Sequence, residues 1–347
     1  MTATWGHRFT ATEHVLVGPG TLASLAGECD ALGMHRVVVV TGRSLRENTP
    51  VIAEAERLLG ERHAATFSGI TEHAPASGVR ALTDVLREHG ADGAVAIGGG
   101  SPIDATKAAL HALDGGTTRQ IAVPTTLSAA EFTPTAGVTD DQTRRKGGVA
   151  GYTLAPRAVI LDPQTTVHTP ERLWLSTGIR ALDHAVEAVY APEGDRLAIE
   201  LGLRAIAMLR SALPASRDDA QDVAPRGEAQ VAAWYSGMAL AAVSVVPSHP
   251  LGRILGATFD IGHGITSCVL LPAAIDWTAQ REPARVEPLC AAFEVQRPED
   301  VGTACRAFVA SLGLPTTLRD VGLDGAALQR YLEMVPEQWR DIPRAAY

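Results

Sequence analysis

The sequence predicts an α/β N-terminal domain built on a Rossmann-like parallel sheet, followed by an all-helical C-terminal domain. Three observations carry this reading. Short β-branched runs alternate with helix-like segments through the first half. Strand-like runs stop beyond about Pro163. A glycine-rich turn sits directly between a buried run and a helix-like segment, as parallel α/β sheets require.

The elements follow in order. Val37-Val38-Val39-Val40 is a β-branched run suited to a strand buried on both faces. Val51 to Gly60 reads as a helix, Ala64 to Phe67 as a strand and Gly78 to His89 as a second helix. Gly93 to Ile97 is a further buried strand that runs into Gly98-Gly99-Gly100, and Ile121 to Pro124 is another. Thr169-Pro170 then offers a hydroxyl cap and an early proline, a good helix start. Helices are predicted over Leu173 to Tyr190, Arg196 to Leu213, Glu228 to Val246, Thr303 to Leu312 and Gly325 to Met334. The shift in pattern near residues 155–165 divides the chain into domains at 1–160 and 161–347.

Composition narrows the function class. Across 347 residues the net charge is -9, which disfavours nucleic acid and anionic membrane surfaces, since both need basic patches. No run approaches 18 uninterrupted apolar residues, and the N-terminal segment lacks a signal-peptide core, so a cytoplasmic protein is expected. Cys29, Cys268, Cys290 and Cys305 are scattered and form no CxxC pair, so they read as reduced, structural thiols. Of the 30 basic residues only Lys107 and Lys146 are lysines. Both lie in segments that look suited to a cofactor.

The segment Gly98 to Lys107 (GGGSPIDATK) follows a buried strand and opens a helix. Its glycines let main-chain N–H groups approach a ligand, and the helix start favours a pyrophosphate. The spacing is not GxGxxG, and a glycine-rich turn alone is often only a tight connection. A second loop, Pro124 to Glu131 (PTTLSAAE), follows the next strand and is rich in hydroxyls. Two such loops on adjacent strand ends are where α/β sheets bind ligands.

These segments resemble the iron-containing alcohol dehydrogenase superfamily, nearest to the maleylacetate reductases. GGGSPIDATKAA is similar to the family's GGGSxxDxxK diphosphate motif, and PTTLSAAEFTP to its PTTYAGSEMTP-type segment. Val17 to Leu22 and Leu161-Asp162-Pro163 resemble the opening loop and the interdomain link. The likeness runs from about residue 8 to 275. It implies the dehydroquinate synthase-like architecture, an NAD(P)-dependent oxidoreductase with NADH or NADPH as cofactor, and a homodimer. It places cofactor contacts at Gly98, Gly99, Gly100, Ser101, Asp104, Thr125, Thr126 and Ser128, with Lys146 near the nicotinamide ribose. Relatives often carry an aspartate after the first long strand to bind ribose hydroxyls. Here Gly42-Arg43 stands there, so Arg43 is either a partner for a 2′-phosphate or a solvated loop residue.

Metal-dependent relatives hold an ion with one aspartate and three histidines. By resemblance His184, His249 and His263 keep the histidine positions, and together they remain a possible three-histidine metal set. Arg180 stands where the aspartate would be, and Arg253 replaces a histidine implicated in proton relay. A guanidinium repels a nearby divalent ion by on the order of several kcal/mol at low effective dielectric, so metal is not expected. Arginine grips carboxylates in a bidentate manner, so the two point to a small anionic substrate with at least two charged groups. Arg180, His184, His249, Arg253 and His263 are therefore the candidate catalytic residues. Alternatively Arg180 and Arg253 simply pair with Asp183, Glu187 or Asp260. A non-redox lyase, cyclase or isomerase on the same scaffold is the competing function. The short segment after Met334 leaves enclosure of the substrate open.

Overall fold

A computed structural model describes residues 5–7, 9–143, 146–192, 195–244 and 247–347, without the Lys146 side chain. The chain forms two compact units. One comprises Phe9–Pro170 and Ala220–Val231; the other comprises Glu171–Asp219 and Ala232–Tyr347 together with residues 5–7.

The first unit is built on six parallel strands: β1 (His14–Val17), β2 (Val37–Val40), β3 (His63–Phe67), β4 (Gly93–Gly98), β5 (Arg119–Pro124) and β8 (Ala158–Leu161). Their order is β1-β8-β5-β4-β2-β3. Successive side chains of a strand point to opposite faces, and both faces are buried here. Val37 and Val39 pack with Val95, Ile97 and Ile121 against α1 (Leu25–Ala31) and α3 (Val51–Leu59). Val38 and Val40 pack with Ala94 against α4 (Ala76–Glu88) and α5 (Gly100–Asp114). A β-branched run that supplies two cores at once is why β2 was legible in the sequence.

The chain leaves β2 through α2 (Arg43–Asn48) and α3 toward β3, then returns past β2 to β4 and continues to β5 on the other side. The ends of β2 and β4 thus flank a topological switch point, where α/β sheets leave a ligand crevice. A separate antiparallel hairpin, β6 (Thr135–Thr139) and β7 (Lys146–Ala150), pairs Gly137 with Gly148. Periodicity missed it because its strands are short and glycine-rich, with only Ala136, Val138 and Val149 turned to the core.

The second unit is helical, as the sequence predicts. It holds α6 (Glu171–Tyr190), α7 (Arg196–Asp218), the second part of α8 (Val223–Ala241), α9 (Ser248–Phe259), α10 (His263–Arg281), α11 (Pro283–Val286), α12 (Leu289–Phe293), α13 (Val301–Ser311), α14 (Gly325–Met334) and α15 (Asp341–Ala345). Helices α9, α10, α11, α12 and α15 lie where the sequence reading named none, and α8 and α7 differ from it in extent. α8 begins at Val223 rather than Glu228, because the Asp222 side chain accepts the Ala224 N–H at 2.9 Å and caps it. It ends at Ala241, and the predicted end at Val246 lies outside the described residues. α7 continues through Pro214 to Asp218 instead of stopping at Leu213. The turn beyond the proline is held by Ser216, whose buried hydroxyl accepts the Trp174 Nε1–H of α6 at 3.0 Å.

α6 is buried almost all round, the mark of a central helix. Close approach to its neighbours depends on absent side chains. A Cβ at Gly264 would lie 2.7 Å from the Ser176 main chain, so glycine lets α10 start against α6. The C-terminal segment, short in sequence, packs on α9 through Leu328, Tyr331 and Leu332. The Tyr331 hydroxyl donates to the Leu251 carbonyl at 2.8 Å. The helix that carries His249 and Arg253 is therefore anchored from its C-terminal side.

Candidate functional site

In the first unit, the loops expected to meet a cofactor come together. Gly98 ends β4 at φ 145°, a conformation open to glycine and strained for other residues. Its carbonyl accepts the Thr125 N–H at 2.9 Å, so the two loops are locked in register. A Cβ on Gly99 would lie 3.2 Å from Thr126, and one on Gly100 would lie 3.0 Å from the Ser128 Oγ. Gly99 caps α5, leaving the first N–H groups of that helix facing the space beside the hydroxyl loop. Ser101 follows in the first turn. Gly42 ends the neighbouring β2 crossover, and Arg43 opens α2, exposed and without an ion pair among the described residues.

Two polar residues of the motif serve the fold directly. Lys107 is 1% exposed, and its ammonium donates to the carbonyls of Ala130, Thr133 and Thr135. Asp104 accepts the Gly137 N–H of the hairpin at 3.0 Å and lies 3.6 Å from the Lys107 Nζ. Burial lowers the pKa of Lys107, while Asp104 and Glu131 oppose the shift. The pair thus straps the β6–β7 hairpin and the hydroxyl loop to α5. For Asp104 the observed partner is protein. The Lys146 side chain lies outside the described residues, as do Arg144 and Arg145.

The second unit gathers the other candidates. Arg180, Asp183, His184 and Glu187 recur at i, i+3, i+4 and i+7 on α6, which puts them on one face. α9 brings Ser248 and His249 to this face, and α10 brings Ser267. The His184 and His249 rings lie 4.8 Å apart. His263 is the first residue of α10, close enough for its charge to bear on His249. Arg253 is exposed, also acts electrostatically on Arg180, and makes no ion pair with a described residue.

Buried charge must be compensated, and here most of it is. Arg180 Nη1 donates to Ser267 Oγ at 3.0 Å and lies 3.4 Å from Asp183 Oδ2. Asp183 Oδ2 also accepts from Ser248 at 3.0 Å and from Ser267 at 2.6 Å. Glu187 receives the His249 N–H at 3.3 Å, and its Oε2 lies 2.6 Å from the ring Nδ1 along a bent approach. Burial raises the pKa of Asp183, with Arg180 opposing, and raises that of Glu187 strongly, with Asp183 adding to the effect. Burial and then the Arg180 charge push His184 and His249 well below the usual histidine range, so both rings are neutral at pH 7. Burial also lowers the Arg180 pKa.

The expected alternatives are thereby sorted. Arg180 does contact Asp183, whereas Arg253 pairs with neither Asp183, Glu187 nor Asp260. The group of described residues close enough to hold a metal ion is Asp183, Glu187 and His249, whose ligand atoms lie within 4.8 Å of one another. It shares only His249 with the three-histidine set. Glu187, Ser248 and Ser267 were absent from the sequence-derived site. Glu187 carried a signal, lying four residues after Asp183 on the same helix face; the two serines carried none.

A glycine and hydroxyl cradle at the carboxyl ends of a parallel sheet, with a histidine and arginine cluster in a helical unit, defines a dinucleotide-dependent enzyme. Residues 12–163 match the iron-containing alcohol dehydrogenase family, and residues 174–338 match its C-terminal family. The chain belongs to the iron-containing alcohol dehydrogenase family and is an NAD(P)-dependent oxidoreductase. It is 33% identical to the maleylacetate reductase of Pseudomonas sp. (strain P51), over 96% of this chain and 92% of that one. The crystal structure of maleylacetate reductase from Rhizobium sp. strain MTP-10005 superposes with a TM-score of 0.89 at 29% identity, covering 100% of this chain and 99% of that one. The crystal structure of an alcohol dehydrogenase from Ralstonia eutropha JMP134 superposes with a TM-score of 0.90 at 29% identity, covering 100% of this chain and 98% of that one. Among the described residues no helix is long and apolar enough to cross a membrane.

Proposed function

We propose that the protein is a reductase of a small keto-acid or dicarboxylate of the maleylacetate type, using NADH or NADPH, and that it works without a bound metal ion. Arg180 and Arg253 hold the anionic groups of the substrate. The observation that carries this reading is the state of Arg180. Its guanidinium is mostly buried, only Nη1 is engaged by protein, and the rest of the fork has no partner among the described residues. A desolvated, half-committed guanidinium is suited to a carboxylate, which it can take in a bidentate manner.

In a conjugated keto-diacid, hydride adds to the alkene carbon β to the ketone. The electron pair moves to the oxygen as an enolate, and a proton then returns to the α carbon. A cation near the anionic substrate stabilises the charge that develops. The hydride chemistry belongs to the cofactor, and the protein supplies binding and position. Cofactor contacts are assigned to Gly42, Arg43, Gly98, Gly99, Gly100, Ser101, Asp104, Thr125, Thr126, Ser128 and Lys146. His184, His249, His263 or a bound water is left to relay the proton, since arginine stays charged at any working pH. The maleylacetate reductase relatives support the substrate class.

The test mixes purified protein with maleylacetate and NADH or NADPH and follows the absorbance of the reduced cofactor. Oxidation that depends on the keto-acid is expected. Tight cofactor binding without oxidation by any keto-acid would return the reading to a non-redox enzyme.

A further inference from the structure

We propose that Asp183 and Ser267 are the positioning residues of Arg180, setting which edge of its guanidinium faces a substrate carboxylate; this rests on the anion-holding role given to Arg180 above. A bidentate contact needs the plane and rotation of the guanidinium fixed, since two nitrogens must meet two oxygens together. An arginine side chain is otherwise free to turn about several bonds.

The direction of every bond in this cluster follows from its chemistry. Arginine only donates, and an ionised carboxylate only accepts. Ser267 Oγ lies 3.0 Å from Arg180 Nη1 and 2.6 Å from Asp183 Oδ2. Its single proton therefore goes to Asp183, and its lone pair receives the arginine. The Asp183 oxygen is itself held from α9, where Ser248 donates at 3.0 Å. Asp183 is 0% exposed and Ser267 1% exposed, so neither is free to trade its partner for water. Three helices thus meet on one oxygen, and one nitrogen of Arg180 is tied to two of them. Because the guanidinium is planar and rigid, fixing Nη1 from two sides fixes the direction of the nitrogens left open.

The same carboxylate belongs to the group that lies close enough for an ion. Its Oδ2 is already the acceptor for two hydroxyls and lies beside a permanent cation. Through Oδ2 Asp183 is the counter-ion of Arg180, while its buried Oδ1 has no partner among the described residues.

The experiment measures succinate binding to the enzyme saturated with NADPH, by calorimetry, for wild type, Arg180→Ala, Ser267→Ala and Asp183→Asn. Arg180→Ala is expected to abolish measurable binding, and Ser267→Ala to weaken it about 10-fold. In turnover, Ser267→Ala should raise KM for the diacid more than it lowers kcat. The dissociation constant for NADPH should not change. If Arg180→Ala binds succinate as wild type does, the anion-holding role itself falls. If Arg180→Ala fails to bind while Ser267→Ala binds as wild type, the positioning role falls alone. Ser267→Ala keeps the result interpretable where Asp183→Asn does not fold.

Discussion

Glu187 holds His249 at two points: it accepts the main-chain N–H at 3.3 Å, and its Oε2 lies 2.6 Å from the ring Nδ1. One carboxyl group thereby bonds the backbone and lies against the ring, whose Nδ1 makes no hydrogen bond among the described residues. Glu187→Ala is predicted to lower kcat about 10-fold to 100-fold, the range lost when the carboxylate behind a functional histidine is removed. Single-turnover kinetics would check it. A kcat equal to wild type would show that His249 needs no such support.

Metal removal gives a second prediction. If Arg180 takes the place of a metal ion as proposed, dialysis against EDTA leaves kcat and KM unchanged, and added zinc or iron has no effect. Metal content is measured on the same samples. Activity lost to the chelator and restored by one equivalent of metal would show that His249, with Asp183 and Glu187 or with His184 and His263, holds a working ion.

How far the sequence carried the site can be argued from these residues. Of the sheet strands in the first unit, β2, β3, β4 and β5 were readable, helped by β-branched runs such as Val37–Val40 that serve two buried faces, whereas the short β1 and β8 and the β6–β7 hairpin were not. Arg180, His184, His249, Arg253 and His263 were readable because of their resemblance to family ligand positions. Ser248 and Ser267 were not, since a helical serine looks the same whether it caps, back-bonds or supports a buried carboxylate. Lys107 looked like a cofactor residue because it lies in the glycine motif. Only the path of the chain from Ala130 to Thr135 shows that its ammonium is occupied by carbonyls.

A third prediction concerns pH. Burial lifts Glu131 from 4.5 to about 7, with Lys107 opposing. The native state keeps a proton that the unfolded chain has released, so stability present below pH 4.5 is lost as pH rises through about 7. The shift corresponds to on the order of 3 kcal/mol. Glu131→Gln cannot ionise, so its stability relative to wild type should rise between pH 5 and pH 8 in urea unfolding. A difference that stays constant across this range would show that Glu131 is ionised in the fold.

The cofactor cradle gives a fourth. A Cβ on Gly100 would meet Ser128 Oγ at 3.0 Å, inside the space assigned to the pyrophosphate. Gly100→Ala is expected to weaken both nicotinamide cofactors about 10-fold, with the unfolding midpoint little changed. Arg43→Ala should weaken NADPH alone by a similar factor, because only that cofactor carries a 2′-phosphate. Fluorescence titration of the reduced cofactors separates the two. No loss for either cofactor in Arg43→Ala would assign that arginine to solvent, and equal losses would place it on a group that the two cofactors share.

The burial of Lys107 has a practical side. Its amine is closed to acylating reagents while the protein stays folded, and the chain has one other lysine. Any lysine modification in the native state therefore falls on Lys146 or on no lysine at all. Modification of Lys107, read by mass spectrometry, then becomes a clock for the opening of the strap between α5 and the hairpin.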